Sequence, residues 1–226
     1  MEASWVFDES AVLTGPEAVE ASRRTFRFDA ANEPPINITI FDVIVDETRK
    51  RFGGADIRVD ALVVTPAPAD DQLYQADTFT FSEIKDGETL PIDPASGLGI
   101  YTGWPQYFLS MAVIVSRGGQ DQKSLPELLA DSADQLGDLL GNVAQLTAAA
   151  PHAGAITGAA AAAVKLGGAV LHLLDGITGK SIGLYRATWY EHRHNFGLGH
   201  HPDDGGLYAQ QDFRFRYEIF QDQPSG

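Results

Sequence analysis

Cysteine is absent from this sequence of 226 residues. A chain without thiols forms no disulfide bond, no zinc–thiolate site and no thiolate nucleophile, so redox chemistry at sulfur is excluded. With 44% hydrophobic and 10% aromatic residues, the chain has enough apolar material for a packed interior. The fold must therefore be held by its core rather than by covalent cross-links.

Basic residues are few: 16 lysines and arginines stand against 31 acidic residues, which gives a formal net charge of −15. The field of such a chain repels phosphate backbones, so we expect no nucleic-acid partner. Cations and basic partners are favoured instead. The identity of a protein or membrane partner is not readable from this balance.

Targeting and catalytic signatures are also absent. The start at Met1–Asp8 has no basic region followed by an apolar run, so no secretory signal is visible. We expect cytoplasmic residence, or export by a route that leaves no signal here. No nucleophile elbow, phosphate-binding glycine loop or dinucleotide fingerprint occurs, which favours a non-enzymatic function.

Six runs carry the alternation or the composition of β-strands. They cover residues 36–45, 56–65, 78–82, 107–115, 183–192 and 213–220. Glycine, proline, asparagine and aspartate clusters separate them, which is typical of packed antiparallel sheets. The prediction is a mainly β protein, an antiparallel β-sandwich. Its length favours one domain over residues 1–226.

A helical hairpin over residues 124–176 is predicted to interrupt this sandwich before its last strands. Ser124 and Glu127 form a capping box, and Pro151 separates a leucine-striped first helix from a second helix over about 152–174. Asp175-Gly176 ends the second helix. The stripe of the first helix consists of Leu125, Leu128, Leu129, Leu136, Leu139, Leu140, Val143 and Leu146.

The second helix is apolar nearly all round and about as long as a membrane span. Lys165 lies near its middle, where a charge costs about 2.5–3.5 kcal/mol, so we expect no constitutive transmembrane segment. Burial between the first helix and the sheet is the simpler interpretation. A membrane-active effector, which releases the hairpin onto lipid, is the alternative, with Lys165 and Trp104 as candidate membrane or partner contacts. One interpretation of Tyr101, Tyr107 and Phe108 is an aromatic ligand-binding rim together with Trp104; the other is that they belong to the core, where aromatic residues beside strands lie more often.

Acidic residues follow or begin several of the predicted strands. A strand that runs into Val45-Asp46-Glu47, a strand that begins with Asp56, and an apolar strand that leads to Asp121 together resemble C2 domains, over roughly residues 36–121. C2 domains are β-sandwiches that bind calcium and lipid headgroups. The resemblance implies that the sandwich is C2-like, and a jelly-roll-like sandwich is the alternative. The resemblance implies that Asp46, Asp56 and Asp121 would be Ca²⁺ ligands in loops at one end of the sandwich.

Four of the six histidines are His192, His194, His200 and His201. Imidazoles interleaved with carboxylates offer donors that zinc, nickel, copper or iron accept. We expect His192 and His194 to share one face of a strand, and His200 and His201 to point in different directions. A solvated, glycine-rich loop is the other interpretation of this segment.

Three functions follow from these patterns. The first is a non-enzymatic binding module, calcium-responsive through the acidic loops. The second is the membrane-active effector, and the third is a metal-dependent enzyme centred on the four histidines. The first is preferred, because no catalytic motif is present.

Overall fold

The computed structural model describes residues 34–66, 73–118, 121–148, 153–175 and 181–221. All six predicted strands are present within these ranges, and the chain is mainly β. The elements in chain order are β1 (Ile36–Val45), β2 (Ala55–Val64), β3 (Tyr74–Ile84), β4 (Glu88–Thr89), β5 (Leu98–Gly103), β6 (Phe108–Arg117), α1 (Leu125–Asp131), α2 (Ala133–Ala148), α3 (Ala153–Asp175), β7 (Ser181–Tyr190), α4 (Glu191–His194), β8 (Gly199–His201), β9 (Tyr208–Gln210) and β10 (Phe213–Gln221).

The described strands form two antiparallel sheets, as a β-sandwich requires. In the first, which we call the outer sheet, β1 pairs with β4, β5 and β10, and β10 also pairs with β8 and β9. In the second, the middle sheet, the order is β3-β2-β6-β7. The short strands β4, β5, β8 and β9 extend the outer sheet beside its two long central strands.

The core between the two sheets follows from the alternation of the long strands. In β1 the buried apolar residues are Ile36, Ile38 and Ile40, and then Val43 and Val45. The change from even to odd positions coincides with a register shift between Ile40 and Asp42 in the pairing with β10. An extra residue in one strand turns the following side chains to the other face. The bulge therefore keeps both halves of β1 facing the core.

A second core lies on the other face of the middle sheet, under the helices. Its buried sheet residues include Leu62, Val64 and Ile114, and they meet leucines and alanines of the helices. Ser124 caps α1 with the predicted capping box. The helical residues of this core are Leu125, Leu128, Leu129, Leu136, Val143, Ala159, Ala160, Ala162, Ala163, Leu166, Val170 and Leu174. The middle sheet is thus covered on both faces.

The first helix that the sequence predicts is two helices in the structure, because the helix is interrupted at Ser132. The Ser132 amide donates to the carbonyls of Ala130 and Leu128, and α2 starts at Ala133. Helix α2 packs against α3, and α3 packs against β6 and β7. Residues 149–152, which would connect α2 to α3, lie outside the described ranges. The hairpin itself therefore stays a prediction.

Candidate interaction surface

The loop between β1 and β2, residues 47–54, lies at one end of the sandwich and carries the most exposed large apolar side chain of the described residues. Phe52 is 87% exposed, and Lys50, Arg51 and Gly53 beside it are exposed as well. An exposed aromatic ring keeps its apolar surface in water, where contact with a partner would be favourable. This loop is our candidate interaction surface, and we refer to it as the 47–54 loop.

The first half of the 47–54 loop is tied to the turn between β3 and β4. Thr48 is 1% exposed, and its backbone amide and its Oγ1 both donate to Oδ1 of Asp86 at 2.7 Å. The backbone hydrogen bond from Thr48, with the hydroxyl bond second, holds the pKa of Asp86 below its ordinary value. Hydrogen bonds to an ionised carboxylate are stronger than neutral ones, so the loop has a firm attachment here.

Arg49 ties the loop to three other segments. Its guanidinium pairs with Asp212, between β9 and β10, and donates from Nη1 to the Ser181 carbonyl of β7 at 3.0 Å. The backbone carbonyl of Arg49 accepts a hydrogen bond from Arg117 Nη1 at 3.2 Å. Arg49 is therefore a structural residue, whereas Lys50 and Arg51 extend the positive charge into solvent.

The tip of the loop is closed by a hydrogen bond from the Lys50 side chain to the loop backbone. Lys50 Nζ donates to the Gly54 carbonyl, and Gly53 has φ +71°, a conformation that favours glycine. A methyl group on Gly54 would overlap the backbone of Glu83, so the chain can pass there only without a side chain. Phe52 is thus held on a closed turn with fixed ends, which reduces the ordering entropy that binding would cost.

The three predicted Ca²⁺ ligands lie near this same end, at the end of β1, at the start of β2 and after β6. Asp46 is engaged by Arg214, whose Nε donates to Oδ2 at 2.9 Å and whose Nη2 donates to Oδ1 at 2.7 Å. Asp56 and Asp121 are exposed. Within the described ranges, no three histidine or carboxylate side chains come together in a group that could hold a metal ion.

The structure separates the described histidines. The prediction that His192 and His194 share a strand face is wrong, because β7 ends at Tyr190 and residues 191–194 form one helical turn. The side chain of His192 lies outside the described part of the chain. His194 accepts a hydrogen bond from the Tyr190 amide through Nδ1 at 3.1 Å.

His200 and His201 point in different directions, as predicted. The side chain of His200 is 76% exposed, with Nδ1 3.7 Å from the Glu218 carboxylate. His201 is half-buried: its ring stacks on Tyr217 with centroids 4.7 Å apart, and Nε2 lies 2.5 Å from the Gly197 carbonyl. Since a carbonyl oxygen only accepts, Nε2 carries the proton in this contact. His201 therefore belongs to the packing between the sheets.

Three tyrosines meet beside His201, and the sequence patterns did not single them out. The hydroxyls of Tyr185 and Tyr217 lie 2.8 Å apart, and the centroid of the Tyr208 ring lies 5.1 Å from that of Tyr185 and 5.9 Å from that of Tyr217. Burial raises the pKa of Tyr185 and of Tyr217 above the ordinary value for a phenol. The hydroxyls of Tyr185 and Tyr217 therefore stay protonated near neutral pH and form a neutral hydrogen-bonded pair.

The predicted aromatic rim is reduced to its half-exposed members. Trp104 is 37% exposed, between β5 and β6 at the end of the sandwich opposite to the 47–54 loop, and Tyr107 is half-buried. Tyr101 and Phe108 are core residues at 5% and 0% exposure, so for these two the core interpretation is correct and the rim interpretation is not. Strand residues that flank a turn alternate in direction, and these two point inward.

Helix α3 contains the stretch Ile156–Leu174, which is long and apolar enough to cross a membrane, and 39% of it is buried. A helix packed on a sheet in a water-soluble fold meets the same criterion. Leu166, Val170 and Leu174 are at most 1% exposed, whereas Lys165 lies on the exposed side. The direction of these side chains is that of a helix docked on a sheet.

The fold and the candidate surface define an antiparallel β-sandwich with a helical layer on one side and a rigid aromatic loop at one end. No protein-family model, no curated protein and no solved structure matches this chain. The resemblance to C2 domains therefore stays a prediction, and so does the single domain over residues 1–226.

Proposed function

We propose that this protein is a non-enzymatic binding module that contacts its partner through the 47–54 loop. The observation that carries the proposal is the 87% exposure of Phe52 on a loop whose base is fixed by Thr48 and Arg49. Aromatic and arginine side chains supply much of the binding energy at protein interfaces. A rigid loop that presents Phe52 beside Arg51 has both.

The charge of the loop indicates the partner's chemistry. The chain as a whole carries −15, yet Arg49, Lys50 and Arg51 follow one another in the loop, and the last two are exposed. Complementarity at contact distance therefore favours acidic groups around an apolar pocket that accepts Phe52. At long range, the net negative charge of the chain would instead favour a basic partner. A partner would therefore have to approach in the orientation that brings its acidic groups to the 47–54 loop.

The binding contribution of Phe52 can be tested by site-specific crosslinking with the full chain. A photoreactive benzoylphenylalanine replaces Phe52, and the same group at Ser82, an exposed residue of β3, is the control. We expect a defined crosslinked partner at position 52 only. An excess of the wild-type chain should compete with this crosslink, whereas an excess of the Phe52→Ser chain should not.

Phe52→Ser should leave the free energy of unfolding within about 0.5 kcal/mol of wild type, because the ring has little to lose on unfolding. Equal competition by the wild-type and Phe52→Ser chains would contradict the proposal. A large loss of stability in Phe52→Ser would show instead that Phe52 stabilises the folded structure.

A calcium-responsive form of this module has less support. Ca²⁺ needs six to eight oxygen ligands, and both carboxylate oxygens of Asp46 already accept hydrogen bonds from the Arg214 guanidinium. A cation at Asp46 would have to displace Arg214 and would lie beside the positive charge of the loop. The geometry therefore favours recognition without calcium.

Calcium addition is expected to leave the melting temperature unchanged. A ligand that binds only the native state raises the melting temperature as its concentration exceeds its Kd. We expect scanning calorimetry at 5 mM Ca²⁺, a concentration on the order of the weakest known calcium modules, to match the scan with Mg²⁺ at the same ionic strength. A rise that is specific to Ca²⁺, and that Asp46→Asn removes, would restore the calcium hypothesis.

Membrane activity is a second candidate, and the length and composition of Ile156–Leu174 are the observation that favours it. It would require α3 to leave β6 and β7, which would expose Leu166, Val170 and Leu174. The metal-dependent enzyme centred on the histidines is not favoured by any group among the described residues.

A further inference from the structure

A pair of opposite charges lies inside the helix-covered core of the middle sheet. Arg58 and Asp60 are neighbours on the same face of β2, and both side chains are 0% exposed. Arg58 Nε donates to Asp60 Oδ2 at 2.6 Å, and Nη2 donates to Oδ1 at 2.7 Å. This bidentate geometry is the strongest form of the arginine–carboxylate pair.

The pair reaches the start of the helical layer through two further contacts. Arg58 Nη1 donates to the backbone carbonyl of Lys123, which precedes α1. Thr78 of β3 donates its hydroxyl to Asp60 Oδ1 at 2.6 Å and accepts from the Leu125 amide at 2.7 Å. Arg58 thus contacts the Lys123 carbonyl directly, and Asp60 contacts the Leu125 amide through Thr78. Both backbone groups belong to the short segment that starts α1.

The remainder of this interface is mainly apolar, although Ser110 and Thr188 hydrogen-bond to each other on the sheet and Arg186 lies beside Gly167 and Gly168 of α3. On the sheet, Leu62, Val64 and Ile114 continue the apolar face, and the helices present leucines and small alanines to it. Apolar contacts are not directional, and side chains of similar size allow neighbouring packings of similar energy. Buried polar groups differ, because each must find its own partner.

We propose that the Arg58–Asp60 pair is a register lock that selects one docked position of the helical layer on the middle sheet. Shifting α1 by one residue would leave the charged pair without its backbone partners in a dry core, where unpaired polar groups are costly. Apolar residues of similar volume would preserve or raise stability without this selection. The inference does not depend on the function proposed for the 47–54 loop.

The test compares the full chain with the double variant Arg58→Met/Asp60→Leu by amide hydrogen exchange and by NMR. We expect the double variant to stay folded while amides of α1, α2 and α3 exchange at least about tenfold faster, with β1 and β10 unchanged. We also expect the helical amide signals to broaden or double. Wild-type exchange rates and single, sharp helical signals in the double variant would overturn the proposal.

A matched control removes a charge pair from the surface. Arg214→Met/Asp46→Leu deletes the exposed pair on the outer sheet, with side chains 42% and 37% exposed, and should leave helical exchange unchanged. Should the buried double variant fail to fold, Thr78→Val keeps the Arg58–Asp60 ion pair and deletes the hydroxyl that joins Asp60 to the Leu125 amide. It should accelerate exchange in α1 selectively, and unchanged exchange there would equally overturn the lock.

Discussion

Replacement of Asp60 by leucine, with Arg58 left in place, is expected to lower the free energy of unfolding by about 3–5 kcal/mol. The substitution leaves a fully buried guanidinium without its carboxylate, and it also removes the acceptor of the Thr78 hydroxyl. An uncompensated charge inside a dry core loses its hydration without replacement. Urea denaturation that is monitored by circular dichroism measures this change in the free energy of unfolding.

The appropriate control is the pair between Asp42 and Arg216 on the open face of the outer sheet. Its side chains are 37% and 51% exposed, so solvent screens the interaction. Asp42→Leu should change the free energy of unfolding by less than about 1 kcal/mol. A loss at Asp60 no larger than that at Asp42 would show that the buried pair is not held as tightly as its geometry indicates.

Stability is expected to fall steeply in alkali because of three buried phenols. Burial raises the pKa of Tyr101, Tyr185 and Tyr217 in the folded chain, so each keeps its proton there. The unfolded chain releases these protons above its ordinary tyrosine pKa of about 10. Protons bound only in the native state are therefore lost on unfolding, and stability decreases as pH rises through this range. The expected loss between pH 9 and pH 11 is about 4 kcal/mol, from about 1.4 kcal/mol for each phenol.

Tyr101→Phe isolates one of these contributions, because burial is the cause of its raised pKa. The variant should lose about one third less stability over the same pH interval, in urea denaturation at pH 9, 10 and 11. Other groups that titrate in alkali are common to both chains and cancel in the comparison. An identical pH dependence in the two chains would show that Tyr101 ionises in the native state.

The long strands were predictable because alternation decides which face is buried. In β1 the buried positions change from even to odd numbers between Ile40 and Val43, and two adjacent apolar residues mark this point in the sequence. The β-bulge in the pairing with β10 explains the change. The strands of two to six residues were not predictable, since β4, β5, β8 and β9 depend on pairing with β1 and β10 rather than on their own composition.

The alternation in β2 was predictable, but its environment was not. Arg58 and Asp60 occupy the polar positions of a pattern that ordinarily marks a solvent-facing side. The structure buries them, because a helical layer covers this face and the two charges neutralise each other. Nothing in β2 itself reveals the second layer.

The candidate surface was only partly predictable. Acidic residues near the strand ends drew attention to this end of the sandwich, but the run Arg49-Lys50-Arg51-Phe52 before two glycines was the more informative signal. Exposure of Phe52 depends on how the loop is fixed by Asp86 and Asp212, which are distant in sequence. The tyrosine cluster likewise joins residues from β7, β9 and β10.

The pairing of β1 with β10 has a practical consequence for attachment. Ile36 lies opposite Gln221 in this ladder, while Val45 lies opposite Phe213 at the far end, where the 47–54 loop begins. Ten residues of β1, about 30 Å of extended chain, separate the two poles. The chain enters β1 before residue 36 and leaves β10 after residue 221, at the end of the sandwich remote from Phe52. A sensor chip or bead that holds the sandwich at residues 36 and 221 would leave the aromatic loop pointing toward the bulk solution.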